Sequence, residues 1–182
     1  MADRRNDPVS EPMRARLLMN RHGTLTADQW KDMVFAPLVS LLLVLAPGIV
    51  VLGPRLGALV WGGFGLVALL SLAAVGVMLA LRARRYARAP VYFAVMQGVQ
   101  SRPFWMFWRP TVLRDSAGAP VRFSKQLAPY TPVRAGADYL VYYLRDGDVQ
   151  VLLSLAPADH PDADLWRPSD TFEARFARRA PR

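Results

Sequence analysis

Asp159-His160-Pro161-Asp162-Ala163-Asp164 puts three carboxylates and an imidazole into one short stretch, the side chains a divalent cation would use. Calcium, however, takes six to eight oxygens from a loop shaped by a glycine turn and closed by a glutamate. Neither residue is in place here, so the stretch reads as a solvated acidic linker. The second histidine, His22, precedes the turn residue Gly23 and has no evident partner in the sequence. Acid–base–nucleophile chemistry needs a histidine held between a nucleophile and an orienting carboxylate. Two histidines in turn-like contexts do not suggest such a triad. The chain has no cysteine, which removes thiolate catalysis, disulfides and Cys-ligated metal centres. It also lacks the GxxxxGK[ST], GxSxG, HExxH and GxGxxG signatures. Gly62-Gly63-Phe64-Gly65 sits inside an apolar run, where it cannot cradle phosphate. The expectation is a non-enzymatic chain with no cofactor and no metal.

The segment most in need of a role is Pro103-Phe104-Trp105-Met106-Phe107-Trp108-Arg109-Pro110. Five consecutive large apolar residues point to both faces of any strand, while a small barrel has one interior. Three readings stay open. Both sets are covered within the chain, for instance by Phe172 and Phe176; or Phe104, Trp105, Phe107, Trp108 and Arg109 form a protein-docking surface, since Trp and Arg concentrate at binding hot spots; or the segment touches a lipid headgroup layer. Nucleic acid is not an expected partner, because the basic residues do not interleave with Tyr139, Tyr142 and Tyr143 as a base-stacking surface requires.

The elements that would position these residues follow from charge and hydropathy. The 182 residues carry a formal charge of +9 and are 53% hydrophobic. Between residues 33 and 81 the only charge is Arg55. Met33–Leu52 is 20 uncharged residues and Leu56–Leu81 is 26. As helices they would measure about 30 and 39 Å, enough to cross a bilayer core. Gly53-Pro54-Arg55 between them suits a tight helical hairpin. The expectation is a transmembrane helical hairpin in the cytoplasmic (inner) membrane. Lys31 and Arg14, Arg16 and Arg21 before it, and Arg82, Arg84, Arg85 and Arg88 after it, put both termini on the cytoplasmic side. Trp30 and these basic residues would lie at the interface, and the arginine run suits anionic lipid headgroups. Small residues at Ala58, Gly62 and Gly65, and at Gly76 and Ala80, would let helices approach closely. Residues 11–22 suggest a short helix with Met13, Leu17 and Leu18 on one side, ended by Gly23. Thr26 and Gln29 have capping-box spacing, which starts the next helix near Ala27.

From residue 89 the period becomes two. Val91, Phe93, Val95 and Val99 share one face, Val121 and Phe123 another, and Val149, Val151, Leu153 and Leu155 a third. Tyr139–Leu144 is apolar on both faces, as a covered central strand should be. Asp115–Gly118 and Asp146-Gly147 are turn signals, and Gly136 precedes the Tyr-rich strand. Five or six short strands point to a small SH3-like or OB-like β-barrel over 89–156. The tail, 157–182, is loop and then a short helix at 171–179, with Asp170 and Glu173 at the ends of a capping box. The domains are thus 1–25, the hairpin at 26–88, the barrel and the tail.

The stretches Asn20–Gln29 and Val133–Tyr143, the latter followed by Leu152-Leu153-Ser154, are similar to segments of uncharacterised bacterial two-span membrane proteins. In plan only, the hairpin followed by a small barrel resembles NfeD-type membrane proteins. The resemblance implies a fold and carries over no catalytic residue. The functional expectation is an accessory or structural subunit of a larger membrane complex, with the barrel as its docking module and other membrane-protein subunits, or further copies of itself, as partners. The alternative is a tethered regulatory or ligand-sensing protein acting on a protease or transporter.

Overall fold

The computed structural model describes residues 8–35, 38–39, 65–99, 110–129 and 131–177. The chain divides into two units, one of residues Met1–Thr26 with Ala89–Arg182, the other of Ala27–Arg88.

The first unit is a closed barrel of five strands: β1 (Val91–Gly98), β2 (Thr111–Arg114), β3 (Pro120–Gln126), β4 (Asp138–Asp146) and β5 (Val149–Pro157). Around the barrel they run β1-β2-β3-β5-β4. All pairings are antiparallel except that of β3 with β5. The neighbours β4-β1-β2-β3 make a Greek key. A five-stranded Greek-key barrel is the OB plan, so the small barrel expected from the sequence is present in its OB-like form.

Cross-strand partners share a face. Ala94 and Met96 of β1 face Val141 and Tyr139 of β4, and Leu113 of β2 faces Gly98. With Phe123 they fill the interior, where Val141, Leu113 and Phe123 have no solvent exposure. The apolar set Val91, Phe93 and Val95 therefore lies on the outside of the barrel, opposite the face that carries the core. Val95, at 46% exposure, shows that this outer face is only partly covered. β4 is buried on both faces from Tyr139 to Leu144. On its outer side Tyr142 meets the tail through Phe172 and the Trp166 carbonyl.

Helix α1 (Glu11–Asn20) lies across β5. Met13 and Leu17 are fully buried, while Leu18, expected on the same side, is 46% exposed. Pro12 suits the first turn. Gly23 adopts φ 72°, the left-handed conformation that ends the helix, and its N–H donates to the Asn20 carbonyl. The tail folds as a 3₁₀ turn (Ala163–Trp166) and a short helix, Asp170–Ala177. The backbone N–H groups of Phe172 and Glu173 donate to the Ser169 carbonyl. Ser169 thus holds the cap position, one residue before the Asp170 expected there.

In the second unit a helix begins at residue 27, where the capping signal placed it, with helical residues described through 35 and at 38–39. We call it α2, the Gly65–Ala87 helix α3 and the tail helix α4. The Arg82 Nε donates to the Met33 carbonyl at 2.8 Å, which ties α3 to α2.

The transmembrane hairpin is not upheld. Among the described residues no helix is long and apolar enough to cross a membrane. Within the described residues the uncharged part of α3, Gly65–Leu81, is 17 residues, or about 25 Å, up to Arg82. That is short of the roughly 30 Å hydrocarbon core. Of the first expected span only 33–35 and 38–39 are described; Met33 and Val34 are buried, on a helix that begins with polar residues. The inner-membrane placement, with two spans and both termini cytoplasmic, is overturned by the same finding. An uncharged run measures hydropathy alone, and no described helix supplies an apolar stretch of that length. Ala58, Gly62 and the Gly53-Pro54-Arg55 turn lie outside the described residues.

Candidate docking site

From Val75 onward α3 has two unlike sides, while Leu72, in line with Leu79 and Tyr86, is 75% exposed. Val75 and Leu79 are half-buried and Tyr86 is buried, at spacings of four and seven that keep them in line. Arg82 belongs to this inward side: its guanidinium lies 5.1 Å from the Tyr86 ring centre and donates to α2. It is not the outward interfacial cation the sequence suggested.

The other side is open. Leu70, Val77 and Leu81 are spaced i, i+7 and i+11, one stripe of an α-helix. They are 60%, 59% and 61% exposed, with Met78 beside them at 43%. Arg84 and Arg88 continue the stripe at i+14 and i+18 and are exposed, as is Arg85. Fully burying one such apolar side chain is worth about 1.5–3 kcal/mol. Roughly 5 kcal/mol of burial is thus unrealised on this face. Gly76 and Ala80 are exposed on the flank, and a Cβ at Gly76 would meet nothing within 4 Å. Neither serves packing within the described chain. Gly65 lies on the same helix. Trp30 is half-buried and Lys31 exposed on α2.

The aromatic residues Phe104, Trp105, Phe107, Trp108 and Arg109 lie outside the described residues, between β1 and β2. Phe172 is described and 7% exposed; its ring meets Tyr142 edge-on at 6.0 Å. It is covered by the barrel and offers no surface to a partner. Phe176 lies on α4, and its side chain is outside the description.

Two clusters missed in the sequence hold α1 to the tail. In the first, Arg14 pairs with Asp162 at 2.9 Å and lies 5.8 Å from the Trp166 ring centre. His160 packs against the same ring at 4.6 Å. The stretch read as a solvated linker is therefore a joint. A cleft of about 390 Å³ opens beside it, walled by Leu18 and Leu165. Its Trp166 floor is only 2% exposed, so little aromatic surface is open to a ligand. Nothing local in the sequence announces a pair 148 positions apart.

In the second cluster, His22 Nδ1 lies 2.9 Å from Ser169 Oγ and 3.2 Å from Thr171 Oγ1. A Ser–His pair invites a catalytic reading. Yet Ser169 Oγ donates to the Arg21 carbonyl at 3.0 Å, so its proton is already held. Activation would require the imidazole to take that proton and a third group to orient the ring. Among the described residues nothing bonds the other ring nitrogen. The Ser169 N–H also donates to the Arg21 carbonyl, and Arg21 Nη1 to the Leu165 carbonyl. The cluster fastens two segments together.

Beneath it the outer wall of the barrel is polar at two points. Asn20 Nδ2 donates to Ser154 Oγ at 2.8 Å, both residues fully buried. The Tyr142 hydroxyl donates to the Trp166 carbonyl at 2.6 Å. Burial pushes the Tyr142 phenol well above its usual ionisation range, and the nearby Arg21 charge offsets this only in part. Among the described residues no three potential ligands come together for a metal. Comparison with protein families, with curated proteins and with solved structures finds no match for this chain.

Proposed function

We propose that this chain is a non-enzymatic docking subunit of a larger protein assembly. The barrel, sealed by α1 and the tail, acts as a rigid body, and α3 supplies the contact. One observation carries the reading: Leu70, Leu72, Val77 and Leu81 of α3 are all at least 59% exposed. A contiguous apolar face of this kind is the usual mark of an interaction site. The occupied Ser169 hydroxyl and the closed Trp166 joint support a binding role over a chemical one.

The test is purification of the full chain from its native source in mild conditions, with co-purifying proteins quantified by mass spectrometry. The same purification is run on Leu81→Glu and on Val77→Glu, with circular dichroism to verify folding. A partner held at fixed ratio by the native chain and lost from the folded variants is the expected result. A chain that purifies alone, or a partner indifferent to both substitutions, refutes the reading.

A further inference from the structure

We infer that the seam between α1 and the barrel holds a structural water, hydrogen-bonded to the Asn20 amide and the Ser154 hydroxyl. Asn20 is the last residue of α1 and Ser154 lies on β5. Both are 0% exposed, and Asn20 Nδ2 donates to Ser154 Oγ at 2.8 Å. That one bond uses little of what the two side chains offer. An amide has two N–H donors and an oxygen that accepts twice, and a hydroxyl has one donor and two acceptor sites. With the amide in this orientation, Asn20 Oδ1 is buried with no partner among the described residues. Ser154 takes part in the bond only as acceptor, so its own proton is left over. Turning the amide over exchanges the roles: Ser154 then donates to the amide oxygen, and both amide N–H groups are left over. Neither orientation satisfies the pair from within, and fully buried polar groups are seldom left so.

The chemistry of the pair sets what completes it. In one orientation it needs a donor for the amide oxygen and an acceptor for the hydroxyl proton; in the other it needs acceptors for two N–H groups. Water donates twice and accepts twice, so it serves both, and it is the ligand that buried polar groups of this kind commonly hold. A third group points to the same place. Ser154 lies directly opposite Tyr142 on β4, and the Arg21 charge bears on that phenol. Arg21 Nε is itself buried with no partner among the described residues. The guanidinium that follows Asn20 in the chain thus reaches toward the same pair of strands with an unused N–H. Because Asn20 and Ser154 are 134 positions apart, a water on this pair bridges the first helix to the barrel wall.

The experiment uses the full chain, in crystals and in solution. The expected result in the crystal is a density peak about 2.7–3.2 Å from the Asn20 amide and from Ser154 Oγ. In solution, NMR should show a cross-peak between the Asn20 side-chain amide and a long-lived water. The double variant Asn20→Leu/Ser154→Ala removes every hydrogen-bonding group of the two side chains. It should lose both signals while circular dichroism shows the fold retained. A dry pair, with neither density peak nor cross-peak, overturns the inference. So does an Asn20 oxygen met directly by a protein donor, such as Arg21 Nε–H, with no peak beside the pair. A peak that persists in the folded double variant also overturns it, because the water then belongs to other groups. If the double variant does not fold, the native chain decides alone: both signals uphold the site, and the lack of either overturns it.

Discussion

Tyr142 and Tyr143 are adjacent on β4, so their side chains leave opposite faces of the sheet. Removing each hydroxyl in turn separates a hydrogen bond from the packing of the ring that carries it. In Tyr142→Phe the ring keeps its neighbours Phe93, at 5.0 Å, and Phe172, at 6.0 Å. The Trp166 carbonyl, which accepts the 2.6 Å bond, is left buried without its donor. Stranding a buried acceptor costs about 1–3 kcal/mol, more than the average net worth of a hydrogen bond. At a urea m value of about 2 kcal/mol per molar, a 2 kcal/mol loss lowers the unfolding midpoint by about 1 M. Tyr143 stacks on Tyr92 at 5.4 Å and meets Phe123 at 5.8 Å, and its hydroxyl forms no hydrogen bond among the described residues. Tyr143→Phe should therefore shift stability by less than about 0.5 kcal/mol. The pH dependence gives a second readout. The folded state holds the Tyr142 proton more tightly than the unfolded chain does. The associated stability is complete below about pH 10, the unfolded value, and is lost as pH rises above it, by up to about 1.4 kcal/mol per unit. Tyr142→Phe should lack this share of the alkaline loss. Urea titrations of the native chain and both variants at pH 7 and pH 11 test both statements. Equal effects of the two substitutions at pH 7, or an unchanged alkaline slope in Tyr142→Phe, would refute the assignment of Tyr142 as the tie between barrel and tail.

Other positions follow the same logic. A methyl at Gly98 would sit 2.1 Å from the Arg134 carbonyl oxygen and 3.0 Å from Val133 Cγ1, where two backbone hydrogen bonds join Gly98 to Gly136 and Ala137. Gly98→Ala should cost about 2–3 kcal/mol and lower the melting temperature by roughly 5–10 °C in calorimetry. Arg14→Ala should cost under about 1 kcal/mol despite the 2.9 Å ion pair, because its partners are about a third exposed, and the loss should shrink in 0.5 M salt. Gly118→Ala and Gly147→Ala meet open space but hold φ of 83° and 63°, so each should destabilise through backbone strain alone, by about 1 kcal/mol in denaturant titration.

Local signals in the sequence were sound where the physics is local. The glycines before and within turns hold positive φ at 118, 136 and 147, and α2 starts where Thr26 and Gln29 set it. The doubly apolar run in β4 is buried on both sides, with the tail covering Tyr142 on its outer face. What local reading could not decide was which face of a strand is the inside. Val91, Phe93 and Val95 look like a core face by hydropathy, while the true interior of β1 is built from Tyr92, Ala94, Met96 and Gly98, a mixed set that only its partners on β4 and β2 make intelligible. The same limit hid Arg14 from Asp162 and Asn20 from Ser154, pairs that only the finished fold brings together. The transmembrane reading rested on counting uncharged residues, and among the described residues no helix is long and apolar enough to match that count. The exposed leucines of α3 were not marked in the sequence: Gly76 and Ala80 lie on its flank, and only the half-buried Val75 and Leu79 and the buried Tyr86 show which residues are covered.

The order in which the chain emerges during synthesis gives the α1–β5 contact a further meaning. α1 is made early, and its buried partner Ser154 follows Asn20 by 134 residues. At roughly 5–20 residues per second, the helix waits on the order of 10 s for the strand it covers. Throughout that interval Met13 and Leu17 have no wall to pack on, and residues 27–88 separate them from the first strand. A topology dominated by such distant pairs folds slowly. The barrel wall can close only after β5 has been made, so the seal between α1 and the tail waits for the synthesis of both.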